Sequence, residues 1–324
     1  MASTGSKNCE SGGHVSYHTI LGAGGIVGNG IASALVSEGK LVRLVSRTGF
    51  AMDGAVSSKA DISNASQAAE VVKDSAVVYL SAGLKYDHRI WAELWPRIMS
   101  NTIEACKQAN AKLVFFDNVY AYRKVSGPMT ESTQYNPCSK KGEIRAKVAT
   151  QLSDEMKGGN ISAMIVRSAD FYGPGADKTG VPNILVFQSL AGGRKPSCLV
   201  TDGAKHSYTY TTDIGQAVAA LAGSDDAYGE VWHLPTAPNP FTAREFIIQA
   251  AREFGVEGRY RVLSKGMIRL MGLFDRTIAE LFEMAYQNEF EYIFDSSKFQ
   301  NAFGIRPTPY TVGIRNTVEY YRKK

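Results

Sequence analysis

The sequence predicts an α/β fold: a Rossmann-type doubly wound parallel sheet with a smaller, mostly helical C-terminal substrate lobe. Three observations predict it. Short apolar runs alternate with helical segments from Tyr17 to about Leu234, the rhythm of a parallel sheet covered by helices on both faces. A glycine series, Gly22, Gly25 and Gly28, falls between the first apolar run and the first helix. After Tyr172-Gly173-Pro174-Gly175 the elements shorten, and from Phe241 the chain is mostly helical.

The elements follow in order. A strand at about Tyr17–Leu21 runs into the glycines, and a helix continues to about Glu38. A second strand, Leu41–Val45, ends at Ser46-Arg47-Thr48. A weak strand ends near Ala60, and a helix covers Ala65–Lys73. The strongly apolar run Ala76–Ser81 is the fourth strand; a long helix, His88 to Ala109, leads to a fifth at Lys112–Phe116. A helix over Lys140–Glu155 precedes strand Ser162–Val166. Asp213–Leu221 reads as a helix and Val231–Leu234 as a strand rejoining the main sheet, with one more short strand near Tyr260–Leu263. The expected organisation is a disordered tail over 1–16, a dinucleotide-binding domain over 17–177 plus 211–236, and a substrate lobe over 178–210 plus 237–324.

At 324 residues the chain is long enough for about two domains. Hydrophobic residues make up 44% and charged residues 21%, which excludes a disordered, collagen-like or coiled-coil chain. Lys and Arg number 36 against 31 Asp and Glu, a net charge of +5. The basic residues are scattered, so no nucleic-acid tract is expected, and the excess suits a small anionic ligand. Cys9, Cys106, Cys138 and Cys198 lie far apart without metal-ligand spacing, so reduced thiols, a cytoplasmic location and no metal are expected. No apolar run is long enough to span a bilayer, and Met1–Gly13 lacks the apolar stretch of a secretory signal.

The glycine series sets the first site. A tight turn needs a residue that tolerates positive φ, a pyrophosphate needs close backbone approach, and close helix–strand packing needs a missing side chain. Gly22, Gly25, Ile26, Val27 and Gly28 are therefore candidate cofactor contacts. After the second strand stands Ser46-Arg47-Thr48 rather than an acidic residue. Arg47 can fork onto a 2′-phosphate with the flanking hydroxyls assisting, which predicts NADP(H) over NAD(H); an exposed surface arginine is the alternative. Asp61-Ile62 stands where a carboxylate accepts from the adenine amino group, or where Asp61 or Ser63 caps the next helix. Ser81, Ala82 and Gly83 either let the cofactor pass over the fourth strand end or form a plain turn.

With these motifs the chain resembles the extended and atypical short-chain dehydrogenase/reductases, the superfamily of nucleotide-sugar epimerases and dehydratases. The resemblance rests on the glycine loop, Asp61-Ile62, Pro128-Met129-Thr130-Glu131 before Asn136-Pro137, Arg167 with Tyr172-Gly173-Pro174-Gly175, and Tyr208-Thr209-Tyr210-Thr211-Thr212-Asp213. It covers Tyr17 to Leu234. It implies catalysis by a Ser or Thr after the fifth strand and a Tyr-x-x-x-Lys on the next helix, whose lysine lowers the tyrosine pKa and holds the nicotinamide ribose. Here the chain departs from the pattern. Lys141 stands at the tyrosine position and Arg145 at the lysine position, where it can still donate to ribose hydroxyls. Asp117-Asn118 stands in place of the serines.

The remaining candidates lie at the carboxyl ends of the parallel strands. Tyr120 is the candidate proton donor, against a packed tyrosine. Lys141 is a catalyst or substrate ligand, against a solvated helix-start lysine, and Asn118 orients a carbonyl. Lys85, Tyr86, His88, Tyr122, Asp170, Tyr172, His206 and Tyr208 are expected at the substrate crevice. Arg47, Lys141 and Arg145 are expected to face an anionic cofactor. Trp91 and Trp95, spaced i,i+4, mean packing or a subunit contact, and the resemblance makes a homodimer possible. Asp213 is expected to anchor the returning helix. These residues imply an NADP(H)-dependent oxidoreductase acting on a small carbonyl or alcohol, with no nucleic-acid or membrane partner. The alternatives are a nucleotide-sugar epimerase or dehydratase-like enzyme, a non-enzymatic NADP(H) sensor or scaffold, and a non-redox isomerase or cyclase.

Overall fold

The structure, a computed structural model, describes residues 16–324; the expected tail, apart from Ser16, and Cys9 lie outside the described residues. Largely apolar runs of five or six residues build the centre. In chain order the elements are β1 (Tyr17–Leu21), α1 (Ile26–Ser37), β2 (Val42–Ser46), β3 (Ala55–Lys59), α2 (Ala65–Val72), β4 (Ser75–Leu80), α3 (His88–Ala109) and β5 (Lys112–Asp117). There follow β6 (Pro128–Met129), α4 (Lys140–Lys157), β7 (Ala163–Arg167), β8 (Asp170–Tyr172), α5 (Gln188–Ala191), β9 (Ser197–Leu199), β10 (Tyr208–Tyr210), α6 (Thr211–Ala222) and β11 (Val231–His233). The chain ends with α7 (Ala243–Phe254), β12 (Arg261–Leu263), α8 (Lys265–Met271), α9 (Arg276–Phe282), β13 (Ile293–Phe294), α10 (Ser297–Phe303) and α11 (Tyr310–Arg322).

Seven strands form one parallel sheet in the order β11-β7-β5-β4-β1-β2-β3. Strand order reverses between β1 and β4, the switch point where a ligand lies across the carboxyl ends of the strands. β4, β5 and β7 are almost wholly apolar because both their faces are covered. One face packs on α2, α3 and α4 through Val78, Leu113, Trp95 and Val148; the other packs on α1, α6 and α10 through Ile20, Ile31, Val218 and Phe299. Trp91 and Trp95 belong to the first of these cores, so of the two readings of their spacing the packing one holds.

Short two-stranded pairs lie outside the main sheet: β8 with β10, β9 with β12, and β6 with β13. Sequence patterning announces only β12 among these, since two- and three-residue strands carry no readable alternation. A separate aromatic core around Tyr172, Phe187, Phe246 and Tyr310 joins β8, β10, α7 and α11. α1 and α6 touch backbone to backbone: a Cβ at Gly215 would overlap the carbonyl oxygen of Gly30. Asp213, in the first turn of α6, accepts from the amide (2.8 Å) and hydroxyl (2.7 Å) of Thr308, so it anchors as expected.

Candidate functional site

The nucleotide end is built by the β1–α1 turn. Gly22 has φ +114°, and a Cβ there would lie 2.6 Å from the backbone of Ala82, so the turn is pressed against the chain leaving β4. A Cβ on Gly28 would lie 2.8 Å from the carbonyl oxygen of Gly22. Gly25 is the N-cap of α1 and supplies no side-chain acceptor, which leaves the first-turn amides open to an anion. Ile26 is half-buried and Val27 buried, so both would serve through their backbone amides. Gly24, which the motif spacing passes over, also has positive φ (+90°), and its amide donates to Asn29 Oδ1 (2.9 Å).

At the end of β2 the Ser46 hydroxyl is buried without a hydrogen-bond partner, and Arg47 and Thr48 are exposed. Arg47 enters no ion pair among the described residues. Asp61 is exposed; its carboxylate accepts from the hydroxyl (2.7 Å) and amide (2.9 Å) of Ser63, bonds that hold it below the usual range. Neither of them caps α2. Asn64 does, accepting from Gln67 N (3.1 Å). Ile62 is buried and its carbonyl accepts from Asn101. Ser81 donates weakly to Leu21 O (3.4 Å), with Ala82 half-buried and Gly83 exposed beside it. The open helix terminus, the cradle that a Cβ would fill and the unpartnered Ser46 hydroxyl fit a dinucleotide.

The reaction end gathers aromatic groups. Tyr120 stacks on Trp91 (ring centroids 6.4 Å apart), and its hydroxyl lies 3.4 Å from that of Tyr86. Burial raises both phenols well above their ordinary range, so they stay protonated, and one hydroxyl donates to the other. Asn118 turns its Oδ1 to the amide of Tyr120 (3.0 Å), leaving its amide group free to donate. Lys85 is exposed, and its carbonyl accepts from Trp91 Nε1 (2.9 Å).

Lys141 is neither solvated nor free to meet a cofactor phosphate. Its side chain is 0% exposed, and its ammonium pairs with Glu280 and, at 2.9 Å, with Glu283, both from the α9 region. It sits 4.5 Å from the Tyr86 ring centroid. His88 Nδ1 donates to the other oxygen of Glu280 (2.8 Å). Those hydrogen bonds hold the Glu280 carboxyl below its ordinary range although burial opposes this. Asp87, His88 and Glu280 bring three ligand atoms within 4.8 Å of one another, but Arg276 (2.6 Å) neutralises Asp87 and Lys141 neutralises Glu280.

Arg145 also departs from expectation. Its guanidinium is committed to Asp117 through Nε (2.7 Å) and Nη2, and lies 4.2 Å from the Trp95 ring centroid. Arg167 Nε donates to the second oxygen of Asp117 (3.1 Å) and Arg167 Nη2 to Tyr135 Oη (2.6 Å). Asp117 is thus the centre of a buried Arg–Asp–Arg triad rather than a stand-in for a serine. Of the three cations expected to face the cofactor, Lys141 and Arg145 are spent on internal carboxylates, and Arg47 alone has no ion-pair partner among the described residues.

Among the expected crevice residues the structure makes two more corrections, at Tyr122 and Tyr172. Tyr122 is buried, its hydroxyl 2.7 Å from His233 Nε2, so its polar end is turned into the protein. Tyr172 is 1% exposed inside the aromatic core, with an unpartnered hydroxyl. Tyr208 packs on the same core through Phe246. Asp170 stays half-exposed and pairs with His206 Nε2 (3.0 Å), whose ring lies between Tyr208 (4.6 Å) and Tyr292 (4.2 Å). An apolar cleft of about 440 Å³ adjoins this end, between Val119–Met129 and Tyr286–Ile293. The site residues missed in the sequence are Glu280, Glu283, Arg167 and His233. Their local signals are two glutamates spaced i,i+3 and the place of Arg167 in the motif before Tyr172-Gly173; Lys141, the partner of both glutamates, lies 139 and 142 residues away from them.

The family model that matches this chain is that of the NAD dependent epimerase/dehydratase family, over residues 18–234. Among solved structures, UDP-glucose 4-epimerase of Thermus thermophilus in complex with NAD is 19% identical, with a TM-score of 0.75, covering 94% of this chain and 99% of that one. UDP-glucose 4-epimerase of Thermotoga maritima with UDP-glucose is 16% identical, with a TM-score of 0.79 and coverage of 95% and 99%. The dTDP-glucose 4,6-dehydratase of Streptomyces venezuelae, solved with NAD, is 16% identical, with a TM-score of 0.77 and coverage of 95% and 97%. At these identities the likeness is one of fold. A sequence comparison with curated proteins gave no match. No helix among the described residues is long and apolar enough to cross a membrane.

Proposed function

This chain belongs to the NAD dependent epimerase/dehydratase family, and from that premise we propose that it is an NADP(H)-dependent oxidoreductase acting on a small carbonyl or alcohol. The end of β2 carries the reading: an exposed Arg47 outside any described ion pair, beside Thr48 and the unpartnered Ser46 hydroxyl. A guanidinium and hydroxyls suit a 2′-phosphate, whereas the carboxylate that would take the ribose 2′-hydroxyl of NAD(H) is not among them. The α1 N-terminus would hold the pyrophosphate. Bound NADP(H) supplies or accepts the hydride. The chain's own residues do the rest. Tyr120, held protonated by burial, gives its proton to the substrate oxygen on reduction, and solvent returns one to it by way of the half-buried Tyr86 hydroxyl beside it. The Asn118 amide orients that oxygen. Trp91, Tyr86 and Tyr120 pack on one another at the strand ends, which favours a compact substrate.

A nucleotide-sugar reaction is the second reading, favoured by the near-complete overlap with solved epimerases. Fluorescence titration decides the cofactor. Loss of a charge-assisted contact worth about 1.5–3 kcal/mol should weaken NADPH binding by about 10- to 150-fold in Arg47→Ala and leave NADH binding unchanged. Equal or tighter NADH binding by the wild type refutes the assignment. Net NADPH consumption with small carbonyls supports the oxidoreductase; retained cofactor with no net consumption supports the epimerase.

A further inference from the structure

At the start of α3 the structure holds a complete carboxylate-binding cradle, filled by the protein's own Glu280. One oxygen of Glu280 takes the Lys141 ammonium and the His88 backbone amide (3.1 Å); the other takes His88 Nδ1 (2.8 Å). The amide belongs to the first turn of a 22-residue helix, whose N-terminus favours an anion. Lys141 is fully buried and Glu280 is 7% exposed, so the pair is shielded from solvent. Such donors, two from side chains and one from a helix end, form a site for a small carboxylate.

The arm that delivers Glu280 is weakly tied. α8 and α9 pack chiefly on each other. α8 and the turn into α9 expose apolar side chains, with Leu270 61%, Leu273 74% and Phe274 88% accessible. On the inner side α9 is fastened by polar contacts: Arg276 to Asp87, Glu280 to His88 and Lys141, and Glu283 to Lys141. The Lys141 ammonium has a second carboxylate partner in Glu283 and the Glu280 carbonyl (3.1 Å) as its third acceptor. A ligand carboxylate in the place of Glu280 is itself a counter-ion of Lys141, so the exchange does not leave that buried charge unpaired, the costly outcome, even when Glu283 moves off with α9. The cradle adjoins the proposed proton donor, because the Tyr86 ring covers the Lys141 ammonium and the Tyr86 hydroxyl meets Tyr120.

We propose that Glu280 is an internal stand-in for the carboxylate of the substrate, so that the substrate is a short oxo acid or the corresponding hydroxy acid. This rests on the oxidoreductase reading above. The acid displaces Glu280 from Lys141 and His88, and its carbonyl, a few carbons away, reaches Tyr120. Glu280 then turns to solvent with α9.

The test uses the full chain saturated with NADP⁺, titrated calorimetrically with 4-oxopentanoate and with its neutral amide. Glu280→Ala should bind the acid at least tenfold tighter than wild type and bind the amide no better; adding Lys141→Met should abolish the gain. In the wild type, saturating acid should speed hydrogen exchange of the amides in α9, which keeps the proposal exposed if Glu280→Ala does not fold. Unchanged acid affinity in a folded Glu280→Ala, an equal gain for the amide, or unaltered α9 exchange would overturn it. NADPH binding is measured separately on the same proteins before NADP⁺ is added. Failure of NADPH to bind defeats the oxidoreductase reading, whereas NADPH binding with failed acid arms defeats only this inference.

Discussion

Replacing Asp117 by Asn should be among the most damaging single changes in this protein. Asp117 is 1% exposed and is the shared anion of two guanidiniums, accepting from Arg145 Nε at 2.7 Å and from Arg167 Nε at 3.1 Å. The amide keeps one acceptor but removes the charge, leaving two buried cations uncompensated. Breaking a buried ion pair from one side costs about 3–5 kcal/mol. For a chain of this length that lowers Tm by about 6–10 °C, at about 2 °C per kcal/mol. Removing one cation instead, by Arg145→Met, leaves the Asp117–Arg167 pair intact and should cost less, about 1–3 kcal/mol. The double variant should be more stable than the sum of the two losses by about 1–3 kcal/mol, because without the Arg145 guanidinium only one buried cation is left uncompensated. Urea denaturation of the four proteins in the cycle measures these terms. An Asp117→Asn loss within about 0.5 kcal/mol, the scale of an ordinary surface change, would refute the triad's structural role. NADPH titration adds a separate arm: Arg145→Met should keep its cofactor affinity, since the guanidinium is occupied by Asp117 rather than held open for a ribose.

Two further outcomes follow from buried groups. Burial holds the His233 imidazole down at about 3, while an unfolded histidine titrates near 6.5. Between those pH values only the unfolded chain binds the proton, so stability falls as pH drops from about 6.5 toward 3, by about 1.4 kcal/mol per pH unit from this group. His233→Gln should show a shallower slope of unfolding free energy against pH by one proton between about pH 4 and 6, and an unchanged slope would contradict the assignment. The hydroxyl of Tyr172 is buried without a partner, so Tyr172→Phe should leave turnover unchanged and leave stability equal or raised by about 1 kcal/mol, measured by thermal unfolding. A marked loss of turnover would return Tyr172 to the substrate crevice.

Much of the fold is legible because it is encoded locally. Val42–Ser46 and Lys112–Asp117 announce themselves as short buried runs, and α3 spans the expected His88–Ala109. The glycine loop is legible for the same reason: a positive φ at Gly22 and contact with Ala82 leave a mark in residue type. Boundaries shift by a residue or two, as with β4, which starts at Ser75 and ends at Leu80, because terminal residues are set by caps and pairing rather than by pattern. The reaction end is much less legible. The sequence brings Lys141 and Arg145 to the positions of the resemblance's tyrosine and lysine, but not their partners. Glu280 comes from 139 residues further along, so no spacing announces it. Asp117 is visible as an unusual residue, yet that both its oxygens are taken by arginines depends on β5, β7 and α4 meeting in space.

The bare contact between Gly30 and Gly215 has a mechanical consequence. Where helices interlock through side chains, one cannot slide without repacking its neighbour. Here α1 and α6 meet backbone to backbone at one point, Gly30 against Gly215, while side chains such as Ile31 and Val218 share a core beside it. α1 carries the glycine loop at its head, and α6 is roped through Asp213 to Thr308, just ahead of the last helix. The crossing therefore sets the spacing of the two helices: any side chain at position 215 would jack them apart and shift the glycine loop at the head of α1 against the chain leaving β4.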